Sequence, residues 1–119
     1  MDEKRRYSRV SFHATSTLMV AVQVEVVELL DISLKGALVH SSGSVPVVHG
    51  DTCSLGIHLA SSSVTLLFSA EVVSLYDGQI GLKFDSVDCD SMIHLRSLLE
   101  ANTGDPDRIH DELGVLIQK

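Results

Sequence analysis

The fold is decided by residues 64–84, VTLLFSAEVVSLYDGQIGLKF, in which two apolar, β-branched runs flank the dipeptide Asp77-Gly78. Asp-Gly between two such runs is a strong signal for a two-residue hairpin turn. The first run, Val64–Leu75, is long enough to bend, and the second, Gln79–Phe84, alternates apolar residues with others. The stretch therefore predicts two antiparallel strands joined by a tight turn.

Four similar runs precede this hairpin and extend the prediction to a mainly β domain. They are rich in β-branched or alternating apolar residues, and they cover Val10–Val20, Gln23–Leu30, Gly36–His40 and Thr52–Leu59. Short strands separated by turn signals are typical of an antiparallel sandwich or a small barrel.

The last third of the chain changes to helical periodicity. Asp88 or Asp90 would cap a first helix, which Asn102-Thr103-Gly104 ends, and Asp105-Pro106 would start a second. The apolar stripe of the first helix would be Met92, Leu95 and Leu99, with Ile93 beside them. The stripe of the second would be Ile109, Leu113, Leu116 and Ile117. Both stripes are expected to close the β domain, although the second could also meet another chain.

Composition indicates one small intracellular domain. The 119 residues carry a net charge of −7 and are 45% hydrophobic, which is enough for one core. No apolar run approaches the ~18–20 residues of a membrane span, and the polar start does not look like a signal peptide. Cys53 and Cys89 form no CxxC pattern and are expected to be free, buried thiols in a reducing compartment. We therefore expect a cytoplasmic protein with no membrane insertion.

The first nine residues form a cationic arm on an acidic body. They hold four of the nine basic residues and two acidic ones, which leaves five basic and fourteen acidic residues for the remainder. An acidic body disfavours DNA and RNA, whose phosphate charge dominates binding. Arg5 and Arg9 would share one face of a turn, and a guanidinium can grip a phosphate, donate to guanine or stack on a purine. The alternative is an ordinary solvated tail.

A second motif follows at Asp31-Ile32-Ser33-Leu34-Lys35-Gly36, after an apolar run that ends at Leu30. The Asp31 carboxylate could accept hydrogen bonds from N1 and N2 of a guanine, whereas Ser33 could donate to a phosphate or fix the turn. Gly36 permits a positive φ or a close approach of two backbones. The alternative is an Asx or Ser turn that only joins two strands.

The two motifs together resemble those of the PilZ family, the bacterial receptor domains for cyclic di-GMP. Arg5 and Arg9 match its RxxxR motif, and Asp31, Ser33 and Gly36 match its D/N-x-S-x-x-G motif. Residues 78–84 are similar to the closing strand of the family, and the resemblance covers residues 4–100. The C-terminal part, from Asp90 through the helix that begins at Asp105-Pro106, resembles small stand-alone PilZ proteins with extra helices after the barrel.

The resemblance implies a six-stranded antiparallel barrel capped by one or two α-helices over residues 11–119, with a ligand-binding arm at residues 1–10. Arg5 and Arg9 would grip phosphates and guanine edges, and Asp31 would bind a guanine. The full implied set of ligand-binding residues is Lys4, Arg5, Arg6, Arg9, Asp31, Ser33 and Gly36.

For function, the resemblance implies a receptor that orders its arm when cyclic di-GMP binds and then contacts a downstream protein. We expect a monomer with no cofactor, because cyclic di-GMP is a ligand rather than a resident group. The alternative is a PilZ-like adaptor that contacts proteins without binding a nucleotide.

No pattern in the sequence predicts catalysis. The six histidines are scattered, and none is placed with another His or a Cys at the spacing of metal ligands. The sequence has no nucleophile elbow, P-loop or paired-carboxylate pattern. We therefore predict neither an enzyme nor a metal site.

Overall fold

The computed structural model describes residues 10–43, 46–59 and 64–103. These residues form six strands and one helix: β1 (Val10–Val20), β2 (Gln23–Ile32), β3 (Gly36–His40), β4 (Thr52–His58), β5 (Thr65–Tyr76), β6 (Gln79–Val87) and α1 (Cys89–Thr103). The strands close into a barrel in the order β1-β2-β3-β6-β5-β4, and every neighbouring pair is antiparallel. The predicted six-stranded barrel is confirmed, and the sandwich is excluded.

The core of the barrel is mostly aliphatic, and it is filled by the alternate residues of each strand that point inward. In β4 the side chains of Cys53, Leu55 and Ile57 are buried, whereas their neighbours Ser54 and His58 are exposed. The largest fully buried side chains are Leu18, Leu29, Ile32, Leu34, Leu55, Ile57, Leu66, Leu95, Leu99, Val39 and Val72. Each contributes about 1.5–3 kcal/mol to folding through the apolar surface that it removes from water.

The predicted hairpin between β5 and β6 turns at Asp77 and Gly78. Both residues have positive φ, 54° and 80°. This is the combination that a two-residue type I′ turn requires, and Asn, Asp and Gly adopt it most readily. β5 and β6 are paired immediately beyond the turn, where Tyr76 lies opposite Gln79.

Helix α1 closes one end of the barrel, and Asp88 is its N-cap. A carboxylate oxygen of Asp88 accepts a hydrogen bond from the Ser91 N–H at 3.3 Å, and its carbonyl accepts one from the Met92 N–H at 3.0 Å. Leu95 and Leu99 are fully buried against the barrel. The side-chain hydrogen bond with Ser91 holds the pKa of Asp88 below its usual value of 3.8. The predicted cap and apolar stripe therefore both serve the closure of the barrel.

The structure changes several predicted boundaries. β2 continues to Ile32, β5 to Tyr76 and β6 to Val87, because ladder pairing with neighbouring strands extends past the apolar runs. β4 instead stops at His58. The second predicted helix, from Asp105 onward, lies outside the described residues. No helix within the described ranges is long and apolar enough to cross a membrane.

Two predictions about individual side chains are wrong. Cys89 is exposed rather than buried, because it occupies the first position of α1 on the solvent side. Ile93 is 62% exposed, whereas Leu98 takes a buried position on the inner face of the helix. Cys53 is buried and free, as predicted.

Candidate functional site

The turn between β2 and β3 is held together by Ser33. The Ser33 N–H donates to the Gly36 carbonyl at 2.8 Å, and the Ser33 hydroxyl accepts from the N–H groups of Lys35 at 3.1 Å and of Gly36 at 3.3 Å. The Ser33 hydroxyl oxygen lies 3.5 Å from the Gly36 carbonyl oxygen, so the hydrogen bond that it donates there is weak. Of the two roles open to Ser33 in the sequence, fixing the turn is the one that this geometry displays. Its loosely held hydrogen could still be redirected to an acceptor outside.

Gly36 is needed because β3 and β6 approach closely at this point. It is not among the glycines with positive φ. A Cβ atom at this position would overlap the Leu82 carbonyl oxygen and would lie 3.2 Å from the Leu82 carbonyl carbon and 3.4 Å from the Lys83 Cα. All three are backbone atoms of β6, so they cannot move aside without shifting the strand. Close approach, rather than a left-handed turn, is therefore the reason for this glycine.

Asp31 is the penultimate residue of β2 and is half-buried. It pairs with Ser11 of β1 and Leu38 of β3, and the β2–β3 ladder shifts register between Leu29 and Asp31. Such a bulge bends a strand and redirects the side chains that follow it. The local irregularity therefore sets the position of the Asp31 carboxylate at the end of the strand.

Asp31, Ser33 and Gly36 line one open groove of about 480 Å³ on the outer wall of the barrel. Four strands contribute to it in register, because Asp31 pairs with Leu38, Leu38 with Gly81, and Gly81 with Ser74. The remaining lining residues are Lys35, Ala37, Val73, Leu82 and Lys83. The volume lies within the range of roughly 300–1,000 Å³ that is common for small-molecule sites.

Two lysines in this groove were missed by the sequence reasoning. Lys35 belongs to the turn itself, and Lys83 lies directly across from Gly36 in the β3–β6 pairing. Lys35 could have been noticed as a cation inside the Asp-x-Ser-x-x-Gly motif. Lys83 had no such signal, because only the closure of the barrel makes β6 a neighbour of β3.

The structure does not describe the other predicted site residues. Lys4, Arg5, Arg6 and Arg9 lie outside the described residues, so their roles stay predictions. The structure brings together the other three, which all line the same groove.

A larger depression of about 600 Å³ lies over β1, β2 and β3. Among its lining residues are Thr15, Val26, Glu28 and His40, and none of the predicted site residues is included.

Within the described ranges no group of three or more His, Cys, Asp or Glu side chains could hold a metal ion. Burial, with a smaller effect of Asp51, raises the pKa of Cys53 to about 11, so this thiol is protonated at neutral pH.

Comparison with known proteins gives a family match and several similar structures. The model of the PilZ domain family matches residues 3–101. The PilZ domain of YcgR from Escherichia coli, solved with c-di-GMP, aligns with a TM-score of 0.70 at 17% identity, covering 92% of this chain and 98% of that one. The PilZ domain of CeSA, from a cellulose-synthesizing bacterium, aligns at 0.61 and 14% identity, covering 82% and 96%.

A further similar structure is the inhibitor of motility MotI/DgrA from Bacillus subtilis. It aligns with a TM-score of 0.69 at 15% identity over 78% of this chain. The chain spans only about half of MotI/DgrA, since the match covers 47% of its length. At these identities, the structural likeness establishes the barrel architecture.

Proposed function

Since this chain belongs to the PilZ domain family, we propose that it is a receptor for cyclic di-GMP, which binds in the groove beside the β2–β3 turn. One observation carries the proposal. Asp31, Ser33 and Gly36 line one groove, and Gly36 lets β3 and β6 approach closely there. A similar fold, the PilZ domain of YcgR, was solved with this same nucleotide.

The Asp31 carboxylate would recognise the guanine. A carboxylate only accepts hydrogen bonds, and the Watson–Crick edge of guanine offers two donors, N1–H and N2–H. Adenine lacks this pair of donors, so the contact would select cyclic di-GMP over cyclic di-AMP. Titration calorimetry with both nucleotides tests this role, with Asp31→Ala as the variant. Asp90→Ala, which removes a carboxylate from the first turn of α1, is the control.

We expect Asp31→Ala to weaken cyclic di-GMP more than cyclic di-AMP, and Asp90→Ala to leave both affinities unchanged. A hydrogen bond to a charged group contributes about 1.5–3 kcal/mol, which corresponds to a roughly 10- to 150-fold change in affinity. Equal losses for the two nucleotides would make Asp31 a residue of the turn only. The adaptor alternative instead predicts no heat of binding for the unaltered protein.

The arginines of the arm would supply the contacts to phosphate. Arg5→Ala or Arg9→Ala is expected to reduce cyclic di-GMP binding about tenfold or more, because each guanidinium would make a charge-assisted, forked contact. Circular dichroism should show an unchanged fold, since the described barrel and α1 form a core of their own. Two variants that bind like the wild type would refute this assignment, and two that fail to fold would make the arm structural.

Ligand binding would be signalled through a change in the surface that a partner protein contacts. Ligand binding would order residues 1–9 against an acidic body, which is an order–disorder switch that needs no movement of the barrel. Hydrogen exchange of residues 4–10 with and without cyclic di-GMP tests this step. Unchanged protection on saturation would refute the switch while leaving ligand binding intact.

A further inference from the structure

Few cationic side chains are present in the described part of the chain. Residues 10–43, 46–59 and 64–103 contain Lys35, Lys83 and Arg96 as their lysines and arginines, against ten aspartates and glutamates. Lys35 and Lys83 both line the groove, whereas Arg96 pairs with Glu100 of α1 at 2.9 Å. The described residues, acidic as they are, thus place both of their lysines at one surface site.

The position of Lys83 is fixed by the barrel rather than by a loop. It lies in β6 between the buried residues Leu82 and Phe84, so its own side chain points outward. Its partner in the β3–β6 ladder is Gly36, which has no side chain to obstruct the space between Lys83 and the turn. A flexible lysine stem at this point can extend over Gly36 toward the part of the groove that holds Ser33.

The ordinary explanation for Lys83 is a surface ion pair with Glu71, which faces it across the β5–β6 ladder. Neither side chain, however, makes an ion pair with another described residue. Lys83 is exposed, and its ammonium group keeps its donors for a ligand. The cross-strand neighbour therefore does not account for the presence of a lysine at the groove.

We propose that Lys83 binds a phosphate of the dinucleotide from the barrel wall, outside the Arg-x-x-x-Arg and Asp-x-Ser-x-x-Gly motifs. The inference rests on the proposed function and adds to it a fixed cation that acts independently of the arm. Because an exposed positive charge in a cleft attracts anions over a distance, Lys83 would act on the first encounter with the ligand.

The test compares Lys83→Gln, Lys83→Arg and the control Arg96→Gln by titration calorimetry of the full chain with cyclic di-GMP. Lys83→Gln is expected to raise the Kd about three- to tenfold at low salt, and Lys83→Arg to restore the affinity. Arg96→Gln removes an equal charge from α1 and should leave the Kd unchanged.

Salt separates a charge contact from a structural effect. Salt shortens the Debye length from about 30 Å at 0.01 M to about 10 Å at 0.1 M. The ratio of the Kd of Lys83→Gln to the Kd of the wild type should therefore shrink as the salt concentration rises. Stopped-flow association should be slower for Lys83→Gln, with a smaller change in dissociation. A Kd ratio that does not depend on salt would refute the contact between Lys83 and phosphate. Failure of Lys83→Arg to retain the wild-type affinity would refute it as well.

The outcomes distinguish a failure of the Lys83 contact from a failure of cyclic di-GMP binding as a whole. If the unaltered chain binds and Lys83→Gln binds equally well at every salt concentration, the lysine contact is refuted and the proposed function stands. If the unaltered chain gives no heat of binding with cyclic di-GMP, both are refuted.

Discussion

Replacing Gly36 by alanine should destabilise the barrel more than a single methyl group normally would. The added Cβ would overlap the Leu82 carbonyl oxygen and would meet two further backbone atoms of β6 at 3.2 and 3.4 Å. Overpacking of this kind costs about 1–3 kcal/mol, and the upper half of that range applies because the obstacle is backbone. For a domain of this size, the loss corresponds to a fall in Tm of roughly 8–12 °C.

The chain provides a matched control at Gly81, the other glycine of the groove. A Cβ at Gly81 would overlap only the Ser74 hydroxyl oxygen, while the Ser74 Cβ lies at 3.4 Å and its backbone nitrogen at 3.8 Å. A serine hydroxyl can rotate to another staggered position, whereas a carbonyl in a ladder cannot. Glycine within a strand is itself less stable than alanine by roughly 0.5–1 kcal/mol, which offsets the rotation. Gly81→Ala should therefore change stability by no more than about 0.5 kcal/mol.

Urea denaturation of the two variants and the wild type measures the free energies of unfolding. The linear extrapolation is suited to a single domain, and unchanged m-values would show that the denatured states are comparable. A Gly36→Ala variant as stable as the wild type would mean that β3 and β6 can separate here without cost. Equal losses for both variants would refute the distinction between backbone and side-chain obstacles.

Three further outcomes follow from the described contacts. Ser33→Ala should lower the free energy of unfolding by about 1–3 kcal/mol, because two backbone N–H groups lose their acceptor, and calorimetric unfolding would measure this. A thiol reagent should modify exposed Cys89 in the native protein and reach buried Cys53, whose pKa is raised to about 11, only after unfolding; rapid modification of both would contradict this. Asp88→Ala should lower the Tm at neutral pH. Because the folded-state pKa of Asp88 lies below 3.8, this difference should persist above pH 3.8 and shrink as the pH falls through the lowered value, and an equal difference in acid would contradict the cap.

The barrel could be predicted because its strands carry local signals. Alternation in β4 and the Asp77-Gly78 turn both reflect backbone geometry that a few residues decide, and the structure reproduces them. Strand ends were less accurate, since pairing with a neighbour can continue where apolar residues stop. The extension of β2 to Ile32 and of β6 to Val87 are examples.

The site was only partly visible in the sequence because its two walls come from distant segments. Asp31, Ser33 and Gly36 are close together in the chain and could be recognised as one motif. Lys83 and the neighbouring residues of β5 and β6 join them only through the order β3-β6-β5 in the closed barrel. The exposure of Cys89 was equally hidden, since one residue of a helix start has no periodicity of its own.

The hydrogen bonds within the β2–β3 turn change how the Asp-x-Ser-x-x-Gly signature should be interpreted in other chains. Ser33 serves the turn and Gly36 serves the approach of two strands, so both would be retained by a barrel that had lost its ligand. Asp31 is the member of the motif to which the proposed function assigns the recognition of guanine. A sequence search that scores the three positions equally would thus count as receptors some chains that fold into the barrel but bind no ligand. Giving more weight to the acidic position and to the arginine arm would separate chains that bind the nucleotide from chains that only share the fold.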